Sequence, residues 1–205
     1  MPDGEITLSR RAQISRETGE TRVSVTLDVD GRGVHEVTTG MKMLDHLYDQ
    51  LSRHSGVDLK LTAEARNDPD GHHTAEDASI VVGRALDQAL GDRIGIRRMG
   101  HAIVPLDESL ALVAVDLGGR GYSALDLPLS TPMIGDLRSE LVSHVLETLA
   151  REARMNIHVR VMAGDNDHHI AEAVFKALAK SLDWATQRDD RYAGEAPSTK
   201  GTLTG

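Results

Sequence analysis

Two short segments of this sequence carry the same side chains in the same order. Gly71-His72-His73-Thr74-Ala75-Glu76-Asp77 and Asp167-His168-His169-Ile170-Ala171-Glu172-Ala173 share the pattern HHxxE and stand 96 residues apart (168 − 72). A further histidine precedes each pair, His46 by 26 residues (72 − 46) and His144 by 24 (168 − 144). Imidazole and carboxylate are nitrogen and oxygen ligands of divalent transition ions. On a helix, positions i and i+3 or i+4 share a face, so Glu76 stands near both His72 and His73. Adjacent residues diverge by about 100° around the axis, so each HH pair is better placed to serve two ions than one. If the two motifs face one another, each ion takes one His from each pair, His46 or His144, and one Glu. The set His46, His72, His73, Glu76, His144, His168, His169 and Glu172 then divides into two sites of three nitrogens and one oxygen. Two positions on each octahedral ion stay open for substrate or water. A single HH pair at a helix start is ordinarily a polar surface feature; its recurrence at matching points of a repeat argues against that reading. From the ligands alone the metal is a divalent transition ion, with Mn or Fe favoured over structural Zn.

The elements that must position these groups also occur twice. Residues 21–29 alternate apolar Val23, Val25, Leu27 and Val29 with polar neighbours, as a half-buried strand does. Asp30-Gly31 supplies a turn, and VHEVTT returns as a second strand. Residues 41–54 switch to helical spacing, with Met43, Leu44, Leu47 and Leu51 on one stripe and His46, Gln50 and His54 on another face. VDLKLTAEA is a third strand, RNDPDG breaks it, and a helix runs from about His73 to Leu90, closed by Gly91. In the second half SLALVAVDL and RGYSALDL read as paired strands around Gly118-Gly119. A helix over 139–153, the strand NIHVRVMA and a helix from His168 follow. The expected fold is therefore α/β (α+β): duplicated ββαβα units, mixed sheets with helices on one face, and the two helical layers packed together. Residues 1–95 form the first half, 96–188 the second, and 189–205 a polar tail that closes over substrate as a lid or stays mobile without it.

Composition narrows the function classes. The chain has 205 residues, 40% of them hydrophobic, enough for one substantial core, and a formal charge of −9 without a basic run. A duplex-binding surface needs a concentrated basic face, so a nucleic-acid partner is not expected. Cysteine is absent, which removes disulfides, thiolate metal sites and cysteine nucleophiles. No secretory core or membrane-length apolar run is present, so a cytoplasmic protein acting on small molecules is expected. With aromatics at 2%, the core must be aliphatic and base-stacking platforms are not expected.

The order of several stretches resembles the imidazoleglycerol-phosphate dehydratase family along nearly the whole chain. They are RETGET (16–21), TGMKMLDHLYDQLSRHSG (39–56), DGHHTAEDASIVVGRAL (70–86), GIRRMG (95–100), PLDESL (105–110), DLGGRGY (116–122), GDNDHHIAEAVFKALAKSL (164–182) and PSTKGTL (197–203). The resemblance implies a lyase of histidine biosynthesis that dehydrates imidazole glycerol phosphate to imidazole acetol phosphate. It also implies two bound Mn ions per active site, a duplicated α/β fold, and a twenty-four-subunit shell with active sites between subunits. The implied ligands coincide with the eight residues named above. The implied substrate contacts are Glu20, Gln50, His54, Arg98, Arg120, Ser198 and Lys200. Met43, Leu106, Gly118 and Pro69 depart from the usual family residues, and none of them is a ligand or a phosphate contact.

The hard step of such a dehydration is removal of hydrogen from a carbon that no carbonyl activates. A substrate imidazole held deprotonated by two cations can expel the neighbouring hydroxyl. Loss of the adjacent C–H then gives an enol that becomes the ketone. Glu20 and Glu172 are the candidate proton carriers, and the residues do not decide between them. Arg98, Arg120 and Lys200 offer charge to a phosphate and Ser198 a neutral donor, although an exposed Arg or a tail Lys is often no more than a solubilising group. Gly118-Gly119-Arg120-Gly121 is most simply a turn. Two other classes compete. A dinuclear metallohydrolase would release inorganic phosphate, and a non-catalytic metal store would assemble with metal without turnover.

Overall fold

The computed structural model describes residues 9–203. The extreme N-terminal segment read above for a signal core, and the last two residues of the tail, lie outside the described residues.

The first half runs β1 (Arg11–Glu17), β2 (Thr21–Asp28), β3 (His35–Thr38), α1 (Lys42–Ser55), β4 (Asp58–Ala65) and α2 (His72–Leu90). The second runs β5 (Met99–Leu106), β6 (Ser109–Asp116), β7 (Tyr122–Asp126), the short pair β8 (Met133–Ile134) and β9 (Leu137–Arg138), α3 (Ser139–Glu152), β10 (Asn156–Ala163) and α4 (Asp167–Thr186). The sheets have matching orders, β1-β2-β4-β3 and β5-β6-β10-β7. The duplicated α/β architecture stands as the sequence implies. The main sheet of each half nevertheless holds one strand more than ββαβα, because β1 and β5 precede the strongly alternating strands, and the second half adds the short β8–β9 pair. Both are edge strands with weak inward residues: Ala12, Ile14 and Arg16 in β1, and Gly100, Ala102 and Val104 in β5. Ile103 and Met99 point outward and blur the alternation of β5, and Pro105 is tolerated there because an edge strand has an unpaired side.

The strands expected to form hairpins do not pair with each other. β3 runs parallel to β4, and β7 parallel to β10. In each half a helix joins the two parallel strands, since such neighbours need a crossover. The returning strand then takes the place beside β2 or β6 that a hairpin partner would have occupied.

Alternation explains which sheet face is inward. In β2, Thr21, Val23, Val25 and Leu27 are buried while Arg22, Ser24 and Thr26 are exposed. The helices cover these inner faces, α2 on β1 and β2, and α4 on β5 and β6. The helical layers then pack crosswise: α1 of the first half lies on α4 of the second, and α2 lies on α3. One continuous aliphatic core results, with Tyr48 and Phe175 as its aromatic members. Gly100 allows the close approach of α4, because a Cβ there would collide with the Ser181 carbonyl oxygen.

The tail is anchored in part. Gly95 N–H donates to the Glu195 carbonyl and Asp189 N–H to the Gly95 carbonyl, both at 2.9 Å, and Leu203 is buried. Among the described residues, no helix is long and apolar enough to cross a membrane.

Candidate metal centre and substrate pocket

Crosswise helix packing decides which ligands meet. His46, in the second turn of α1, lies against His168 and Glu172 at the start of α4. His144 of α3 lies in the same way against His72 and Glu76 of α2. In each cluster the candidate ligand atoms all lie within 4.8 Å of one another. His46 Nε2 is 2.9 Å and His168 Nε2 3.3 Å from Glu172 Oε2, and His144 Nε2 is 3.5 Å from Glu76 Oε1. Neighbouring ligands on an octahedral ion with bonds of about 2.1 Å stand about 3 Å apart, so these spacings suit one ion per cluster. His144 Nε2 is buried without a hydrogen-bond partner, as a nitrogen reserved for an ion would be.

Each cluster thus joins the two halves, and within one chain it supplies two nitrogens and one oxygen, one nitrogen fewer than the sequence arithmetic. The second histidine of each pair is turned away. His73 and His169 stand nearly perpendicular to His72 and His168, with ring centres 5.7 and 6.0 Å apart. His73 sits between Asp68 and Glu20, and His169 beside Glu108. Glu76 therefore serves His72 and His144 rather than both members of its own pair.

The charges suit a cation. Burial opposes ionisation of Glu172, but the His46 hydrogen bond and the Lys176 ammonium, 2.7 Å from Oε1, outweigh it and hold the pKa at about 2. Lys176 went unnoticed in the sequence, although its place four residues after Glu172 is the ordinary spacing of a helical ion pair. His54 accompanies Gln50 on a half-buried side of α1, with Nε2 3.0 Å from Gln50 Oε1. Burial first, then Lys176 and Lys180, lowers the His54 pKa. Asp136, in the β8–β9 turn, accepts the N–H groups of Lys42 and Met43 at 2.6 and 2.9 Å and so caps α1 from the other half.

The remaining candidates gather elsewhere. Arg98, Arg120, Ser198 and Lys200 line one open cleft of ≈ 760 Å³ between the start of β5 and the tail. Arg98 donates through Nε and Nη2 to Asp116 at 2.6 and 2.9 Å and through Nη1 to the Pro197 carbonyl at 2.9 Å. The Asp116 hydrogen bonds raise its pKa. Within one chain this cleft is remote from the His168 cluster. Arg98 adjoins the C-terminal end of α4, its N–H donating to the Ala185 carbonyl, whereas His168 opens that helix. The 17 residues between (185 − 168) span about 25 Å at 1.5 Å per residue.

Internal duplication, two equivalent imidazole–carboxylate clusters across the seam between halves and a cationic cleft define an enzyme of the duplicated α/β class. The model of the family "Imidazoleglycerol-phosphate dehydratase" matches residues 39–182. The protein of that name from Roseiflexus sp. is 49% identical over 195 residues, covering 95% of this chain and 98% of its own. The Chloroflexus aggregans protein of the same name is 50% identical, with 95% of each chain covered. The crystal structure of the Pyrococcus furiosus protein superposes with a TM-score of 0.78 at 32% identity, over 92% of this chain and 99% of that one. The chain belongs to the imidazoleglycerol-phosphate dehydratase family, and so to the lyases of histidine biosynthesis.

Proposed function

We propose that this chain dehydrates imidazole glycerol phosphate to imidazole acetol phosphate at a site holding two Mn ions, in the cytoplasm. The observation that carries the reading is the pair of clusters His46–His168–Glu172 and His72–Glu76–His144. Bound there, the two ions would lower the pKa of the substrate's ring nitrogens and hold the ring as imidazolate. The chain's own groups do the rest. Glu172 is engaged by His46, His168 and Lys176, so it serves as a ligand. Glu20 is half exposed beside His73 Nε2 and is the better proton carrier for loss of the C–H and departure of the hydroxyl. Arg98, Arg120, Ser198 and Lys200 hold the phosphate.

A small substrate cannot span about 25 Å of helix from the His168 end to the Arg98 end. That separation supports a complete site assembled between copies, with His73 and His169 turned out to fill the missing ligand positions of neighbours. This arrangement supports a closed homo-oligomer, the twenty-four-subunit shell that the family resemblance implies.

The direct test is to assay imidazole glycerol phosphate after chelation and after Mn is restored. Activity should vanish and return, with the ketone as product and phosphate retained. Release of inorganic phosphate would favour hydrolysis instead. In the Mn-restored enzyme, Glu20→Gln should lower turnover by roughly 10²–10⁴-fold without loss of metal; a normal rate would remove Glu20 from this role. Deleting residues from Pro197 onward removes Ser198 and Lys200 and frees Arg98 Nη1. Charge-assisted hydrogen bonds are each worth about 1.5–3 kcal/mol, so KM should rise roughly tenfold to a hundredfold with metal content unchanged. Unaltered steady-state kinetics would reject the tail as part of the site.

A further inference from the structure

The β1–β2 and β5–β6 turns are equivalent in the duplication. β2 begins at Thr21 and β6 at Ser109, each pairs antiparallel with the strand before it, and each is directly preceded by a glutamate, Glu20 and Glu108. Each glutamate lies against the second histidine of its own half's HHxxE motif, yet the contacts differ. His169 presents Nδ1 to Glu108 Oε2 at 2.8 Å. His73 instead has Nε2 3.7 Å from Glu20 and Nδ1 3.6 Å from Asp68.

An ionised carboxylate only accepts hydrogen bonds. The Glu108 contact therefore fixes His169 as its Nδ1–H tautomer and leaves the lone pair on Nε2, which has the exposed Asp107 carboxylate 3.8 Å away. Glu108 is itself braced. Its Oε1 accepts from Ser109 Oγ at 3.0 Å and from Asn166 N–H at 3.2 Å. Asn166 caps α4, and its side-chain oxygen accepts the N–H groups of His168 and His169 at 2.9 and 3.4 Å. Turn, helix cap and imidazole form one connected network where the second HHxxE motif begins. Among the described residues, Glu20 has no comparable pair of donors holding its carboxylate.

We propose that Glu108 is a positioning residue that orients the His169 ring for metal coordination through Nε2, whereas its duplicate Glu20, on the Nε2 side of His73, faces the reacting groups. This rests on the metal reading above. A carboxylate on the far nitrogen of a ligating histidine fixes its tautomer and raises its basicity, and its loss typically costs 10–100-fold in metal affinity.

The test is Mn(II) binding to the full chain by equilibrium dialysis, with melting temperature measured in parallel. The parent should bind two Mn per chain. Glu108→Ala should weaken one of the two sites by about 10–100-fold, and Glu108→Gln, whose amide oxygen still accepts from Nδ1–H, should recover most of that loss. Adding Glu108→Ala to His169→Ala should change nothing further, and Glu20→Gln should leave both sites at parental affinity. Parental Mn affinity at both sites in Glu108→Ala, an additive loss in the double variant, or equal weakening by Glu20→Gln would each overturn the proposal while two Mn still bound the parent. A parent chain that bound no Mn would bring down the metal reading itself, a separate and recognisable result.

Discussion

On the two-Mn reading proposed above, His144→Ala is expected to reduce bound Mn from two per chain to one and to lower turnover by about a thousandfold. Among the described residues, His144 is the only ligand candidate that the second half lends to the His72–Glu76 cluster. Its ring stacks on His72 at 4.8 Å, and its Nε2, 3.5 Å from Glu76 Oε1, makes no hydrogen bond. Removing it leaves His72 and Glu76 on one helix beside a single histidine lent by a neighbouring copy, a set too weak to hold a labile divalent ion at catalytic concentrations. A bound metal ion stabilises transition-state charge by several kcal/mol; about 4 kcal/mol corresponds to a thousandfold. Because the clusters are equivalent by duplication, His46→Ala should cause a loss of similar size through the other ion. Metal analysis and steady-state kinetics on the two variants check this together. Two Mn per chain with near-parental turnover in His144→Ala would remove that cluster from the chemistry.

The histidines and glutamates that the structure gathers into two clusters were legible in the sequence because their signal is local. HHxxE at a helix start, repeated after 96 residues (168 − 72), fixes residue types, face and rough position. Which ligand joins which cluster was not legible. That depends on α1 crossing to α4 and α3 to α2, a packing choice made by buried stripes such as Leu44, Leu47, Leu141 and Val145, whose periodicity shows a face but not its partner. The same limit hid Asp136, which caps α1 from 93 residues away at Met43. β1 and β5 escaped for a different reason. Their inward positions hold Ala12 and Gly100, which bury little area, so alternation in these edge strands is faint. Glu108 had a readable signal once the repeat was aligned at its strands rather than at its histidines, since Glu20-Thr21 and Glu108-Ser109 occupy the same turn.

Phe175→Ala should be among the most damaging single changes to stability, at about 3–5 kcal/mol. Phe175 is fully buried on α4, edge-on to Tyr48 of α1 with ring centres 6.4 Å apart, at the seam where the halves meet. Tyr48 in turn hydrogen-bonds Ser79 Oγ of α2 at 2.8 Å, so the pair ties three helices together. In a core otherwise aliphatic, loss of this ring opens a cavity that short neighbours such as Ala171 and Ala179 cannot fill. The damage should extend to the chemistry, because Phe175 lies three residues beyond Glu172 and its packing fixes how α4 presents that carboxylate to His46. The His46–His168–Glu172 site should therefore lose more Mn affinity than the His72–Glu76–His144 site. Trp184→Ala is the informative contrast. Trp184 is 53% exposed and its main partner is the Arg97 guanidinium, 3.8 Å above the ring. A surface cation–π contact contributes only about 0.5–1 kcal/mol, so the larger side chain should matter less. Denaturant midpoints and Mn titrations of the two variants decide the matter. Equal losses of stability, or equal weakening of both metal sites by Phe175→Ala, would mean that the seam between α1 and α4 is not what sets the geometry of its cluster.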